Sequence, residues 1–336
     1  MDILSLSEDE IFEFLKPQPR FRAGQIFSWL HKSGVSGFSE MTNVPAKLRE
    51  ELSKTLPFPD FSARRRLEAP DGAVKYLFSA AGDFIETVVI PQSYGATVCV
   101  SSQVGCGMGC AFCASKEGGF IRDLSAGEMC AQFYEAERGF GRRISRVVVM
   151  GGGEPFLNYE NTVKFINLIN AAAGRNIGSR NITVSTCGIL DKIISFAKDA
   201  PQVNLSVSLH GADDKTRAAL MPVAKSYSVA DLMAACDIYA AKTRRRVTYE
   251  YTLIDGANSS PEHARSLAAL MRGRLAHVNL IRLNGGAGGF RPAENAAGFL
   301  SILAKAGVAA TIRKSRGGAV HAACGQLRAG KAGSAI

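Results

Sequence analysis

Three hundred and thirty-six residues, 46% of them hydrophobic, are ample for a sizeable core and suit one large domain with a smaller attachment, or two domains. No apolar run is long enough to cross a bilayer, and the acidic N-terminus lacks the basic start of a secretory signal. A cytoplasmic protein without a membrane partner is therefore expected. In that reducing compartment eight cysteines argue against a disulfide framework and for metal binding, catalysis or packing. The formal net charge of +10 suits a polyanion such as nucleic acid, with plain solubility as the alternative.

Residues 1 to about 60 read as short helices. Phe21, Ile26, Trp29 and Leu30 share a face at helical spacing, Met41 to Leu52 give another, and Pro57 and Pro59 end the block. Val74, Tyr76 and Phe78 then alternate as a strand, and Phe84 to Ile90 read as a second. With turns at Asp71-Gly72 and Ala81-Gly82 this predicts a short antiparallel β insert over 61–94. From 95 the pattern alternates strand and helix. Strands are expected at 96–101, 146–150, 181–186, 203–209, 245–254 and 277–283, with a further apolar run at 308–313. Helices are expected at 125–138, 160–172, 229–242, 261–272 and 294–305. Such alternation implies parallel strands with helical crossovers: an α/β fold in which six βα units form an open or partial barrel. The small and polar residues after Leu327 read as disordered.

The unusual residues fall just after the expected strands. They are Cys106 to Cys113, Gly151-Gly152-Gly153-Glu154-Pro155, Ser185-Thr186, Ser208-Leu209-His210 and Asn284. In βα barrels that end of the strands builds the active site. Three cysteines within eight residues on a Gly-rich loop can wrap one soft metal centre. Three local ligands leave one iron of an iron–sulfur cluster open. Structural zinc wants four ligands, and no second short pair of cysteines follows, so spacing favours iron–sulfur. The glycine run admits close backbone approach to a ligand or makes a tight turn. Glu154 is a candidate acceptor for an amino group. Ser185, Ser208 and Asn284 are candidate partners of a polar cofactor. His210 fits a ligand role less well than a structural one.

Cys106-x3-Cys110-x2-Cys113, with Phe112 before the last cysteine, resembles the signature of the radical S-adenosylmethionine (SAM) superfamily. Within it the chain is similar to the RlmN/Cfr family of adenine methyltransferases over nearly its whole length. The similarity rests on Phe21-Arg22-Ala23-x-Gln25, Met41-Thr42-Asn43, Cys99 to Cys106, Gly153-Glu154-Pro155, Ser208-Leu209-His210, Val278 to Ile281 and Ala322 to Leu327. It divides the chain into an RNA-binding helical domain (1–60), the β extension (61–94), the partial barrel (95–315) and a loop and tail with a catalytic cysteine (316–336).

The resemblance implies a [4Fe–4S] cluster on Cys106, Cys110 and Cys113 whose fourth iron binds SAM. Gly153, Glu154, Ser185, Ser208, Leu209, His210 and Asn284 would contact that SAM. It implies two SAM molecules per turnover. One methylates Cys324, and the other yields the radical that draws hydrogen from the S-methyl group. The adenine becomes covalently attached to Cys324, and Cys99 releases it by forming a transient disulfide. Glu86 would accept a proton. Without the family Cys99 reads as a small buried hydrophobe, while Cys324 lies in a segment that suits a mobile loop; Cys130, Cys187 and Cys236 read as packing residues.

The expected substrates are 23S ribosomal RNA and transfer RNA, presented as an unpaired or flipped adenine. The expected chain is a monomer served by a one-electron donor such as flavodoxin. Arg64–Arg66, Arg244–Arg246 and Arg313 to Arg316 are candidate phosphate contacts. Arg313-x-Ser315-Arg316-Gly317 favours methylation at carbon 2, and Ile281-Arg282 leans to carbon 8. Gly152, Gly285 and Gly318-Ala319-Val320-His321 depart from the family, which has methionine, proline and an acidic stretch there. They keep open a divergent paralogue with another RNA target. An RNA-binding protein with a structural metal site and a radical SAM enzyme acting on a small molecule are the competing classes.

Overall fold

The computed structural model describes residues 2–285 and 289–330. Ser7 opens helix α1 (Glu8–Leu15) with a reciprocal cap: its hydroxyl accepts from the Glu10 amide, and its own amide donates to the Glu10 carboxylate. Helices α2 (Phe21–Ser28) and α3 (Ala46–Thr55) follow. Their buried residues, Ile11, Ala23, Ile26, Leu48 and Leu52 among them, belong to the same apolar core as the sheet that follows. Phe21, grouped by spacing with the buried face, is instead 59% exposed.

Four antiparallel strands come next: β1 (Phe61–Glu68), β2 (Val74–Ala80), β3 (Asp83–Gln92) and β4 (Gly95–Val100). Ala81 and Gly82, both at positive φ, make the two-residue turn between β2 and β3. β1 escapes sequence reading because Arg64–Arg66 break its apolar pattern. It is the sheet's edge strand, and those exposed charges guard an edge from further pairing. The antiparallel strands are no separate insert. β3 pairs along β4, with Val88 opposite Cys99, so they extend the main sheet.

β5 (Gln103–Gly105) and β6 (Phe120–Asp123) form a small hairpin around the cysteine loop. Beyond it run α4 (Ala126–Phe140), β7 (Ile144–Val149), α5 (Tyr159–Asn170), β8 (Ile182–Thr186), α6 (Leu190–Asp199) and β9 (Asn204–Ser208). They are followed by α7 (Asp214–Leu220), α8 (Val229–Thr243), β10 (Val247–Leu253), α9 (Pro261–Met271), β11 (Ala276–Arg282), α10 (Ala296–Lys305) and β12 (Ala310–Arg313). The strands match the expected ones within a few residues. The apolar run at 308–313 supplies β12, parallel to β11. Helices α6 and α7 were not anticipated.

The order in the sheet is β1-β2-β3-β4-β7-β8-β9-β10-β11-β12. From β4 onward neighbours are parallel and sequential, without reversal. Right-handed crossovers then place the helices on one face and curl the sheet, so the strands' C-terminal ends gather at one mouth. The C-terminal segment, expected to be disordered after Leu327, continues as β13 (Ala329–Gly330) against β3. Residues 331–336 lie outside the described residues. Among the described residues no helix is long and apolar enough to cross a membrane.

Candidate active site

The cysteine loop is closed at its base by Gly105, at φ 76°. A Cβ there would stand 1.8 Å from the Gly119 carbonyl oxygen, so no other residue fits without moving backbone. The same carbonyl accepts from the Cys106 amide at 2.9 Å. Further along, the Cys113 amide donates to the Cys110 carbonyl, and Lys116 Nζ donates to the Ala111 carbonyl at 2.6 Å. So braced, Cys106, Cys110 and Cys113 line one pocket with about 970 Å³ of empty space, its open mouth included.

Burial pushes the Cys106 thiol up to about 11, against amide N–H groups of Met108 and Gly153 that favour its thiolate. The Cys110 thiol is pushed up as well, first by burial and then by its two cysteine neighbours. Among the described residues no three His, Cys, Asp or Glu side chains stand close enough to share one metal ion. A cluster asks something else of its ligands, since its cysteines bind separate irons at different corners. Three soft donors on one loop, sharing a pocket and offered backbone N–H groups, fit that group.

The opposite wall comes from the strand ends. Gly153, at φ 95°, lets its backbone press on Gln103, where a Cβ would meet that side chain at 2.5 Å. The close approach is thus to the chain itself, while Gly153 and Glu154 also line the pocket. Glu154 is buried. Its Oε2 accepts from the Cys187 amide at 2.7 Å and its Oε1 from the Phe156 amide at 3.0 Å. Burial raises its pKa, and these amides work against the rise.

Ser185, Ser208, His210 and Asn284 line the same pocket. His210 is held at φ 53°, a strained backbone for a side-chain residue. Its Nδ1 accepts from the Thr252 amide at 2.9 Å, which leaves the proton of the neutral ring on Nε2. Burial pulls its pKa down to about 3, so the ring stays neutral near neutrality. Leu209 departs from expectation. Its side chain is fully buried in the main core, because alternation along the chain turns it away from the pocket.

A second cleft adjoins the first. Cys99 and Cys324 both line it, and Cys324 lines the first pocket too. Cys99 is nearly buried in a small apolar group with Val88, Ala322 and Leu327. Burial pushes its thiol up to about 12, with the neighbouring Cys324 adding to the rise and Arg313 opposing it. Cys324 is exposed, and the eight cysteines are free.

The segment around Cys324 is anchored rather than loose. The Ala114 amide donates to the Gly325 carbonyl at 2.8 Å, and the Ser115 hydroxyl to the Leu327 carbonyl at 2.8 Å. Asn284 Nδ2 reaches the Cys324 carbonyl at 3.4 Å, and Gln326 donates to the Gly285 carbonyl at 2.9 Å. Glu86 borders neither cleft. On β3, one strand behind Cys99, its Oε1 pairs with Lys75 Nζ at 2.7 Å and its Oε2 accepts from the Arg328 amide at 2.9 Å. Oε2 thus holds down the C-terminal segment directly, and Lys75 Nζ in turn donates to the His321 carbonyl at 3.3 Å.

Sequence reading missed several residues at the site. Glu250, midway along β10, lines the pocket and accepts from Ser206 Oγ at 2.7 Å and Asn279 Nδ2 at 2.9 Å. A lone acid in the apolar strand Val247–Leu253 was the available signal. Cys187 is no mere packing residue, since it lines the pocket beside Met108, whereas Cys130 and Cys236 are fully buried in the core. Arg313 faces both clefts instead of a solvated surface. Lys314, Arg64 and Arg65 are exposed. A Cβ on Gly152 would make only ordinary contacts, and one on Gly285 would meet nothing within 4 Å, so both departures leave the local packing intact.

The model of the radical SAM superfamily matches residues 100–268, and that of the ribosomal RNA large subunit methyltransferase N-terminal domain matches residues 1–57. A Thermoanaerobacter protein named probable dual-specificity RNA methyltransferase RlmN is 45% identical over 330 residues, covering 97% of this chain and 96% of its own. One of the same name from Lachnoclostridium phytofermentans is 44% identical over 342 residues, covering 98% and 94%. The crystal structure of a radical SAM methyltransferase from Sphaerobacter thermophilus superposes with a TM-score of 0.93 at 42% identity, covering 97% of this chain and 99% of that one. With three thiols on one loop at the mouth of a parallel sheet and relatives of this closeness along its length, the chain belongs to the radical SAM superfamily and, within it, to the RlmN family.

Proposed function

We propose that the chain methylates carbon 2 of an adenine in 23S ribosomal RNA and in transfer RNA, with Cys324 as the methyl carrier. The observation that carries this reading is the place of Cys324, whose side chain borders both the three-thiol pocket and the cleft of Cys99. A ring carbon of adenine is not a nucleophile, so the methyl group needs a carrier that can reach both a radical source and a second thiol. The relatives' name, dual-specificity RNA methyltransferase, supports an RNA substrate of more than one kind.

Bound on Cys106, Cys110 and Cys113, the [4Fe–4S] cluster supplies the electron that splits SAM. The chain's own residues do the rest. Gly153, Glu154, Ser185, Ser208, His210 and Asn284 seat the SAM, with His210 offering an Nε2–H donor and Glu154 a carboxylate oxygen. Cys324 Sγ takes the methyl group from one SAM, and a second is consumed as the radical source, giving two per turnover. After the base is joined through that carbon to Cys324, Cys99 Sγ attacks Cys324 Sγ. The ring, having given up one electron and its carbon 2 proton on being joined, now leaves: a sulfur–sulfur bond forms as the bond from Cys324 sulfur to carbon breaks, the carbon keeps the bonding pair and takes a proton to become the methyl group, and two electrons from outside reset the thiols. Glu86 anchors the segment that carries Cys324.

Residues 1–60 form the RNA-binding accessory domain, and Arg64–Arg66 contact phosphate. The enzyme works as a monomer in the cytoplasm, where reducing conditions preserve thiols and cluster and a flavodoxin-type donor supplies electrons. Incubation of the anaerobically reconstituted protein with methyl-labelled SAM and protein-free ribosomal RNA tests the reading. Mass spectrometry should place the label on carbon 2 with wild type and nowhere with Cys324→Ala. Label on carbon 8 alone overturns the regiochemistry, and equal labelling by Cys324→Ala overturns the carrier.

A further inference from the structure

Helix α7 carries an arginine, Arg217, whose side chain is wholly buried. Its Nη2 donates to the Cys187 carbonyl at 2.6 Å and reaches the Ser208 carbonyl at 3.4 Å. Nε and Nη1 are buried and meet no hydrogen-bond partner among the described residues. An arginine stays protonated in a protein, so this is a permanent positive charge removed from water whose hydrogen bonds, among the described residues, go to carbonyls and to no carboxylate. Buried groups left unsatisfied in this way mark a missing partner or a redox or catalytic role.

The location says which partner is missing. Cys187 follows β8, Ser208 ends β9, and both line the pocket, so the guanidinium stands directly behind that wall. The cluster loop lies on the same side. The Ala111 amide donates to the Leu220 carbonyl of α7 at 2.9 Å, which ties the cluster loop to the helix that carries Arg217. We propose that Arg217 is the counter-ion of the iron–sulfur cluster, which brings negative charge to this wall in addition to the carboxylate of Glu154 on the far side of Cys187. The proposal rests on the reading of Cys106, Cys110 and Cys113 as cluster ligands. Reduction places one more electron beside the guanidinium, so the cation favours the reduced cluster over the oxidised one. Arg217 is thus a tuning residue, set behind the ligands and away from substrate.

The test reconstitutes wild type, Arg217→Lys, Arg217→Gln and Arg217→Met with iron and sulfide under anaerobic conditions. It measures iron content, the midpoint potential by electron paramagnetic resonance, and the melting temperature before and after loading. Both neutral variants should disfavour the reduced form about tenfold, a fall of ~59 mV for a one-electron couple. Arg217→Lys, which keeps the charge, should stay near wild type. Arg217→Gln can still donate to the Cys187 carbonyl, so it holds the fold even where methionine does not. A residue that only braces those carbonyls would lower melting equally with and without the cluster and leave the potential unmoved. Full loading at wild-type potential in Arg217→Gln overturns the proposal. A wild-type protein that takes up no cluster sinks the parent reading instead, so the two failures are distinct.

Discussion

Two groups of thiols meet at the mouth of the sheet, and they are built in opposite ways. Cys106, Cys110 and Cys113 come from a single loop, closed on itself by Gly105 and Gly119. Cys99 and Cys324 come from a strand and a distant C-terminal segment, brought to one cleft by hydrogen bonds that reach across the fold. The first group is a local device that survives as long as its loop does. The second exists only when the long-range contacts are in place. It follows that the two groups can be disabled separately.

The comparison breaks most sharply at the cysteines. Cys110→Ala should reduce bound iron and SAM cleavage to background, as measured by iron assay and 5′-deoxyadenosine release under reducing conditions. Cys324→Ala should keep both and lose RNA methylation altogether. Comparable iron loss in the two variants would mean that the groups are not independent. Cys99→Ala sharpens the second half. If Cys99 is the releasing thiol, a covalent protein–RNA adduct should accumulate and show as a shifted band on a denaturing gel, and absence of any adduct under turnover would remove Cys99 from the reaction.

Smaller effects follow from backbone and burial. Gly105→Ala forces a side chain into a left-handed backbone, at about 1–2 kcal/mol, and onto the Gly119 carbonyl. Iron uptake should fall while the bulk of the sheet melts nearly as before; unchanged uptake would show the loop closing some other way. His31 and His210 are both buried with pKa values pulled down to about 3. Below their ordinary range the unfolded chain binds protons that the native rings refuse, so stability is intact above about pH 6.5 and drains as pH falls toward 3. The slope is up to about 1.4 kcal/mol per pH unit for each ring. Chemical denaturation at pH 7, 6, 5 and 4 measures it, and a flat profile between 6 and 4 would contradict neutral burial of both rings.

The local group was legible because spacing alone carries its geometry. Gly153-Glu154 and Ser208-His210 were legible as polar residues ending apolar strands, where a βα fold collects its ligands. Glu250 was hidden in mid-strand, where one acid among apolar residues marks the inward face only when the neighbouring strands are known. Arg313 read with Lys314 and Arg316 as a phosphate contact, and strand alternation turns it toward the clefts. Leu209 turns its side chain into the core for the same reason in reverse. The C-terminal segment looked loose because alanine and glycine carry no pattern, and its order comes from Glu86, Asn284 and Ser115, far away in sequence. β1 was lost to three arginines at an edge.

The two hydrogen bonds from Ala114 and Ser115 to the backbone at Gly325 and Leu327 join the inorganic end of the site to its organic end. They make the position of one end depend on the other. The seat for Cys324 is made by the residues right after Cys113, so any disturbance of the cysteine loop is passed to the place where Cys324 sits.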